Sequence, residues 1–267
     1  MATDQKPGPL VIIGGAEDRE GDCLVLREFL RAAGGVRARI AVMTAATGHP
    51  VEVGDEYISI FERLGAEYVD VVHTERREDS KREENLEKID VATGIFFTGG
   101  DQSRIVDFIK DTPLDKAIRQ RHDQGVVIGG TSAGAAMMPD QMIVGGASVS
   151  NPSADAVSMG PGMGFLPGII IDQHFAQRGR LGRLLAALTL QPAVLGLGID
   201  EDTAIIVSDS KFRVVGQGAI TVVDESTVTY NNLEGLLKDE PIALANVKLH
   251  ILPHGYGFNL ETHTPFK

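Results

Sequence analysis

The chain has 267 residues, 43% hydrophobic and 23% charged, which suits a globular protein of one large α/β domain or two small ones. Its net charge of −12 repels nucleic acid and anionic membranes, and no apolar run approaches the roughly 20 residues needed to cross a bilayer. The single cysteine, Cys23, excludes an intrachain disulfide, and no Cys/His cluster has zinc spacing.

Short apolar runs alternate with amphipathic stretches along the first two thirds of the chain. Residues 10–13 read as a strand ending in Gly14-Gly15. Residues 23–33 read as a helix whose apolar pattern makes Cys23 a buried structural thiol. A second strand follows at 38–43, and a helix at 52–64 has Tyr57, Ile60, Phe61 and Leu64 at helical spacing. A third strand at 68–72 and a charged helix at 82–89 lead to a fourth strand at 94–97, which ends in Thr98-Gly99-Gly100. Helices near 103–110 and 114–124 precede a fifth strand at 126–128. Strands alternating with helices predict a mostly parallel sheet flanked by helices, and the unbroken apolar strands predict burial on both faces. After a strand at 169–171 and a helix at 181–190 the pattern changes, and from Leu195 the chain is mainly strands and turns. Residues 214–223 and 227–230 read as antiparallel additions, and 247–252 as a late strand. No repeat, linker or low-complexity tract divides the chain, so residues 1–267 are expected to form one α/β catalytic domain with a β-rich C-terminal portion. The first ten residues lack a charged-then-apolar signal pattern. With the lone cysteine, this points to the cytoplasm.

The sharpest motif is Gly130-Thr131-Ser132-Ala133-Gly134, between the fifth strand and a segment (135–138) that can continue as a helix. This is a G-x-S-x-G nucleophile elbow in its strand, turn and helix setting. Its glycines let strand and helix approach closely while the serine hydroxyl projects above the strand ends. Ser132 is the candidate nucleophile. A serine needs a base, and the base an orienting acid. Of seven histidines, His174 stands out because it ends the apolar run 168–171, at the same sheet edge as the elbow. The acid is sought in Asp200-Glu201-Asp202, after the strand at 195–199, and spacing does not choose among the three. Oxyanion donors are expected at the N–H of Ala133 and in Gly99-Gly100. Arg178, Arg180 and Arg183 lie within six residues, just past His174, in an acidic chain. Guanidinium groups grip carboxylates bidentately, which predicts a pocket for substrate carboxylates. Asp172 and Asp101 are placed to pair with these arginines or with a cationic substrate group.

Four segments together resemble the cyanophycinases: residues 97–102, the elbow, Asp172-Gln173-His174-Phe175 with the three arginines, and residues 198–204. The likeness runs from Gly14-Gly15 to the β-rich tail. It implies the class I glutamine-amidotransferase-like fold shared with aspartyl dipeptidases, and the triad Ser132, His174 and Glu201. The α/β-hydrolases place the acid before the histidine, so this order favours a peptidase over an esterase. The implied substrate is cyanophycin, a polyaspartate bearing arginine on each β-carboxyl, cut to β-Asp-Arg dipeptides. Gly100 and Ala133 then supply the oxyanion hole. Asp101, Gln102, Asp172, Gln173, Arg178, Arg180 and Arg183 line the substrate pocket. The likeness further implies a homodimer; no cofactor, metal, nucleic acid or membrane partner is expected. The alternatives are an aspartyl dipeptidase of the same superfamily, an esterase built on Ser132, Asp200 and a late histidine such as His254, and a noncatalytic binding protein of the same fold.

Overall fold

In the computed structural model, which describes residues 6–148, 151–153, 155–191, 195–237 and 240–267, β1 (Leu10–Ile13) is an apolar tetrapeptide with every residue buried. Each such Leu, Val or Ile contributes about 1.5–3 kcal/mol on full burial, which is why a strand this short holds the centre of a sheet. Helix α1 (Leu24–Ala32) packs Val25, Leu26, Phe29 and Leu30 inward. Strand β2 (Arg39–Met43) precedes α2 (Pro50–Leu64), which starts on a proline whose missing N–H costs nothing there and stops at Gly65, φ 101°. Then come β3 (Tyr68–Val72), α3 (Glu83–Val91), β4 (Gly94–Phe97), α4 (Gln102–Ile109) and α5 (Pro113–Asp123). Strand β5 (Val127–Thr131) leads directly into the short α6 (Ala133–Ala136).

These strands form one half of a nine-stranded sheet: β1, β5, β4, β2 and β3 are neighbours in that order, all parallel. One face packs an aromatic cluster of Phe29, Tyr57, Phe61 and Phe96, with Phe29 and Phe96 edge-to-face at 5.1 Å.

The later chain builds two structures at once. A hairpin of β6 (Gln141–Gly146) and β7 (Val157–Pro161) precedes β8 (Ile169–Gln173), α7 (Leu181–Leu190) and β9 (Leu195–Ile199). Strands β10 (Thr203–Ser208) and β11 (Lys211–Gly216) return to the first sheet, with β10 antiparallel to β1. Strand β12 (Ala219–Asp224) pairs instead with β9. After the small pair β13 (Tyr230–Asn231) and β14 (Leu244–Ala245), β15 (Lys248–Pro253) joins β12, while β16 (Gly257–Asn259) and β17 (Thr264–Phe266) extend the nine-stranded sheet. The result is an α/β architecture with a large central sheet and a second sheet ordered β15-β12-β9-β8. No helix among the described residues is long and apolar enough to cross a membrane.

The structure corrects four expectations, one of them the strand at 227–230, of which only Tyr230 lies in a strand (β13). The strand expected at 214–223 is two strands in different sheets, because Gly216 at φ 125° turns the chain out of the first sheet. The helix expected to continue through 135–138 spans Ala133–Ala136, and Pro139 bars its extension. The β6–β7 hairpin was not expected, since the exposed Val144 and the bulge near Gly145 break its alternation.

The elbow glycines are sterically required. A Cβ on Gly130 would lie 2.2 Å from the Gly134 carbonyl oxygen, and one on Gly134 would lie 2.4 Å from the Phe97 carbonyl oxygen. Backbone atoms cannot give way as side chains do. Gly130→Ala is therefore expected to destabilise the fold by on the order of 1–3 kcal/mol, read as a lowered Tm by circular dichroism. An unchanged Tm would show that the elbow is not this tightly packed.

Candidate active site

Ser132 sits between β5 and α6 at φ 52°, ψ −106°, a backbone region that an L residue occupies only when its surroundings impose it. Its N–H donates to the Ile13 carbonyl at 3.1 Å, fastening the elbow to the end of β1. Its hydroxyl lies 3.1 Å from His174 Nε2. His174 follows β8 immediately, also at positive φ (49°), and its N–H donates to the Gly14 carbonyl at 2.8 Å. His174 Nδ1 lies 2.6 Å from Glu201 Oε1. A neutral imidazole that donates Nδ1–H to this carboxylate leaves Nε2 free to accept the serine proton.

Glu201 lies in the turn that carries the chain from β9 in one sheet to β10 in the other. Its neighbours have different work. Asp200 accepts from the N–H groups of Ala176 and Ala219, at 3.1 and 3.0 Å. Asp202 accepts from the Asp18 N–H at 2.9 Å. Of the three acids, Glu201 alone meets the imidazole, and its own N–H is held by Gln177 Oε1 at 3.1 Å. His254, the base of the esterase alternative, instead accepts from the Gly216 N–H at 3.4 Å.

Burial is the main influence on the His174 imidazole and holds its pKa below the ordinary 6.5; the Glu201 hydrogen bond opposes this, and the cationic Arg178 and Arg180 reinforce it.

Ser132 opens into a cavity of about 290 Å³. Its walls are Gly100 and Gln102, residues 143–146 of β6, residues 171–173 of β8, and Arg178, Arg180 and Arg183. Gly100 has φ 140°, and a Cβ there would meet the Ala46 carbonyl oxygen at 2.2 Å. A Cβ on Gly99 would lie 3.4 Å from the Ser132 Cβ, so this backbone passes against the serine. The Ala133 N–H belongs to the first residue of α6 and has no acceptor within that helix.

The seven polar residues expected around a substrate separate by environment. Asp172 is 1% exposed and is gripped by Arg183, with Nε donating to Oδ2 at 2.8 Å and Nη2 to Oδ1. Arg180 approaches the same carboxylate at 3.3 Å and also reaches the Gln173 carbonyl and side chain. Burial holds the Asp172 carboxyl above its ordinary pKa, and the two guanidinium groups offset this only in part. Arg180 Nε is buried with no acceptor among the described residues. Arg178 is exposed at the cavity rim. Gln102 donates to the carbonyls of Ile143 and Val144, at 2.8 and 2.9 Å. Asp101 is not part of the cavity wall; its carboxylate accepts from the Ser103 N–H and caps α4.

A larger cavity, about 690 Å³, lies by Ile169, Leu195 and Asp224, at the opposite ends of β8 and β9 from His174, and contains none of the expected site residues. No His, Cys, Asp and Glu group among the described residues has the arrangement of a metal site. Two residues at the site were not expected: Gln177, and Glu17, which lies 4% exposed beneath the elbow. A carboxylate four residues past the end of a buried strand was the available signal for Glu17.

The model of peptidase family S51 matches residues 10–215. The cyanophycinase of Geminocystis herdmanii (strain PCC 6308) is 43% identical over 258 residues, covering 96% of this chain and 95% of that one. The cyanophycinase of Trichormus variabilis (strain ATCC 29413 / PCC 7937) is 40% identical over 257 residues, covering 96% and 86%. Among solved structures, a peptidase from an acI-B1 Actinobacterium superposes with a TM-score of 0.69 over 96% of this chain and 98% of that one; at 20% identity it speaks to the fold.

A base that must be neutral gives an acid limb in kcat/KM. The limb is expected below pH 6.5, because burial and the arginines disfavour the imidazolium. Arg178→Ala removes one of those cations, so it should raise the His174 pKa and move the limb upward. A pH–rate profile of both proteins tests this. A wild-type limb above 6.5, or a downward movement in the variant, would contradict the assignment of His174.

Proposed function

The chain belongs to peptidase family S51 and is a serine-type peptidase, and we propose that it hydrolyses the polyaspartate backbone of cyanophycin through Ser132, His174 and Glu201. One observation carries the reading: the unbroken contact from Glu201 through His174 to Ser132 at 2.6 and 3.1 Å, opening onto a cavity walled by arginines. Residues 1–267 act as one catalytic unit in this reading, since Ser132 follows a strand of the first sheet and His174 a strand of the second.

The chemistry follows from the geometry. Ser132 Oγ attacks the scissile backbone carbonyl while its proton passes to His174 Nε2. Glu201 stabilises the imidazolium and fixes its tautomer. The N–H groups of Ala133 and Gly100 receive the negative charge on the carbonyl oxygen. Collapse expels the amine, which takes the proton from His174 and leaves an acyl-serine. Water, deprotonated by the same imidazole, then releases the carboxylate and restores the hydroxyl.

The branched substrate carries carboxylates and guanidinium groups together. Arg178 at the rim offers donors to carboxylates. Asp172 and Arg183 satisfy one another and hold the wall rigid. From the family likeness we take the enzyme to work as a homodimer, and from its lone cysteine we place it in the cytoplasm.

Wild type should release β-Asp-Arg from cyanophycin and leave casein and plain polyaspartate intact, as read by mass spectrometry of the products. Ser132→Ala should lose roughly 10⁴–10⁶ in rate while remaining folded. Arg178→Ala should lose roughly 10–100-fold in kcat/KM, the equivalent of one charge-assisted hydrogen bond. Equal digestion of casein and cyanophycin would overturn the substrate assignment. Activity of Ser132→Ala within about 10-fold of wild type would remove that serine from the mechanism.

A further inference from the structure

Glu17 is a buried carboxylate that the hydrolytic steps do not use. Its side chain has no exposure, and both oxygens are occupied. Oε1 accepts from the Tyr57 hydroxyl at 2.5 Å and from Arg19 Nε at 3.2 Å. Oε2 accepts from the Thr131 hydroxyl at 2.5 Å. Arg19 in turn rests on the Tyr57 ring, 4.9 Å from its centroid, and pairs with Glu56 at 2.9 Å. Burial and the Glu17 charge hold the Tyr57 phenol well above its ordinary pKa, so it stays a donor.

Stability alone is a poor reason for such a group. A buried ion pair roughly balances its desolvation cost, and apolar residues of similar volume often serve as well or better. What Glu17 does supply is direction. One of its oxygens bonds the residue immediately before Ser132, whose backbone is held at positive φ. The segment around Glu17 reaches the other two members of the site as well. Gly14 accepts from the His174 N–H at 2.8 Å, Gly15 accepts from the Asp202 N–H at 2.9 Å, and Asp18 donates to the Asp202 carboxylate at 2.9 Å. Residues 14–18 therefore touch all three loops that carry the triad, and Glu17 makes the side-chain link to the elbow.

We propose that Glu17 is a positioning residue: acting through Thr131, it holds the Ser132 elbow in register with His174 and Glu201. The inference rests on the assignment of Ser132 as nucleophile. Misplacing a reacting atom by about 1 Å costs on the order of 100-fold in rate. A loosened elbow should thus lower kcat and leave substrate binding largely intact.

The experiment is steady-state hydrolysis of cyanophycin by the full-length wild type, Glu17→Gln, Thr131→Val, the double variant and Ser132→Ala, with each Tm measured. Each single substitution at Glu17 or Thr131 should lower kcat roughly 10–100-fold with KM within about threefold. The double variant should be no worse than the poorer single, because both break one link. The acid limb of the pH profile should stay in place, since neither change adds or removes charge beside His174. Thr131→Val leaves the bonds of Glu17 to Tyr57 and Arg19 intact, so it decides the matter alone if Glu17→Gln fails to fold. A kcat within about twofold of wild type in Thr131→Val, additive losses in the double variant, or a loss confined to KM would overturn the inference. Wild-type behaviour of Thr131→Val beside an inactive Ser132→Ala sinks the role of Glu17 alone; an active Ser132→Ala sinks the nucleophile assignment with it.

Discussion

Gly14 and Gly15 end β1 in a space that admits no side chain. A Cβ on Gly14 would lie 2.0 Å from the Asp200 carbonyl oxygen, and a Cβ on Gly15 would lie 2.4 Å from the His174 ring. The close approach lets the Gly14 carbonyl receive the His174 N–H and the Gly15 carbonyl receive the Asp202 N–H. The Gly14 N–H meanwhile donates to the Thr203 carbonyl at 2.9 Å. Two sheets thus meet at a strand end without side chains. Ser132 comes from the strand on one side of β1, His174 from the second sheet, and Glu201 from the turn between the sheets. A methyl group at either glycine would push these loops apart.

The remaining energetics serve that junction. Ser132 and His174 both occupy positive φ, a strain on the order of 1–3 kcal/mol each, and each is held there by a backbone hydrogen bond to the end of β1. At the cavity beside Ser132, Arg183 and Asp172 form a buried two-point pair that stiffens the wall. The exposed Arg178 is free of that duty. Burial keeps the His174 imidazole neutral near neutral pH, the state a base requires, and the nearby cationic side chains act in the same direction.

Much of this was legible in the sequence, for identifiable reasons. Strands β1, β3 and β4 and helix α7 have the expected bounds, because apolar-rich runs between turn residues leave little freedom. The meeting of Ser132 with His174 was legible because both sit just past apolar strands that end at one edge. Which of Asp200, Glu201 and Asp202 meets His174 was not legible from spacing, since that depends on the hydrogen bonds the turn allows them, and two of the three accept from backbone N–H groups. The three arginines looked equivalent as a run; α7 begins at Leu181 and divides them, with Arg183 inside and Arg178 outside. The partners of Glu17 were illegible because its hydroxyl donors lie 40 and 114 residues away and meet it only once the sheet has formed.

The central claim is that Ser132, activated through His174, does the bond-making at this junction of sheets. Labelling with a serine-directed fluorophosphonate, mapped by peptide mass spectrometry, tests it most directly. The account predicts a single labelled residue, Ser132, loss of cyanophycin hydrolysis in proportion to labelling, and no labelling in His174→Ala. Full hydrolytic activity in protein completely labelled at Ser132, or inactivation by a label on a different residue, would contradict it.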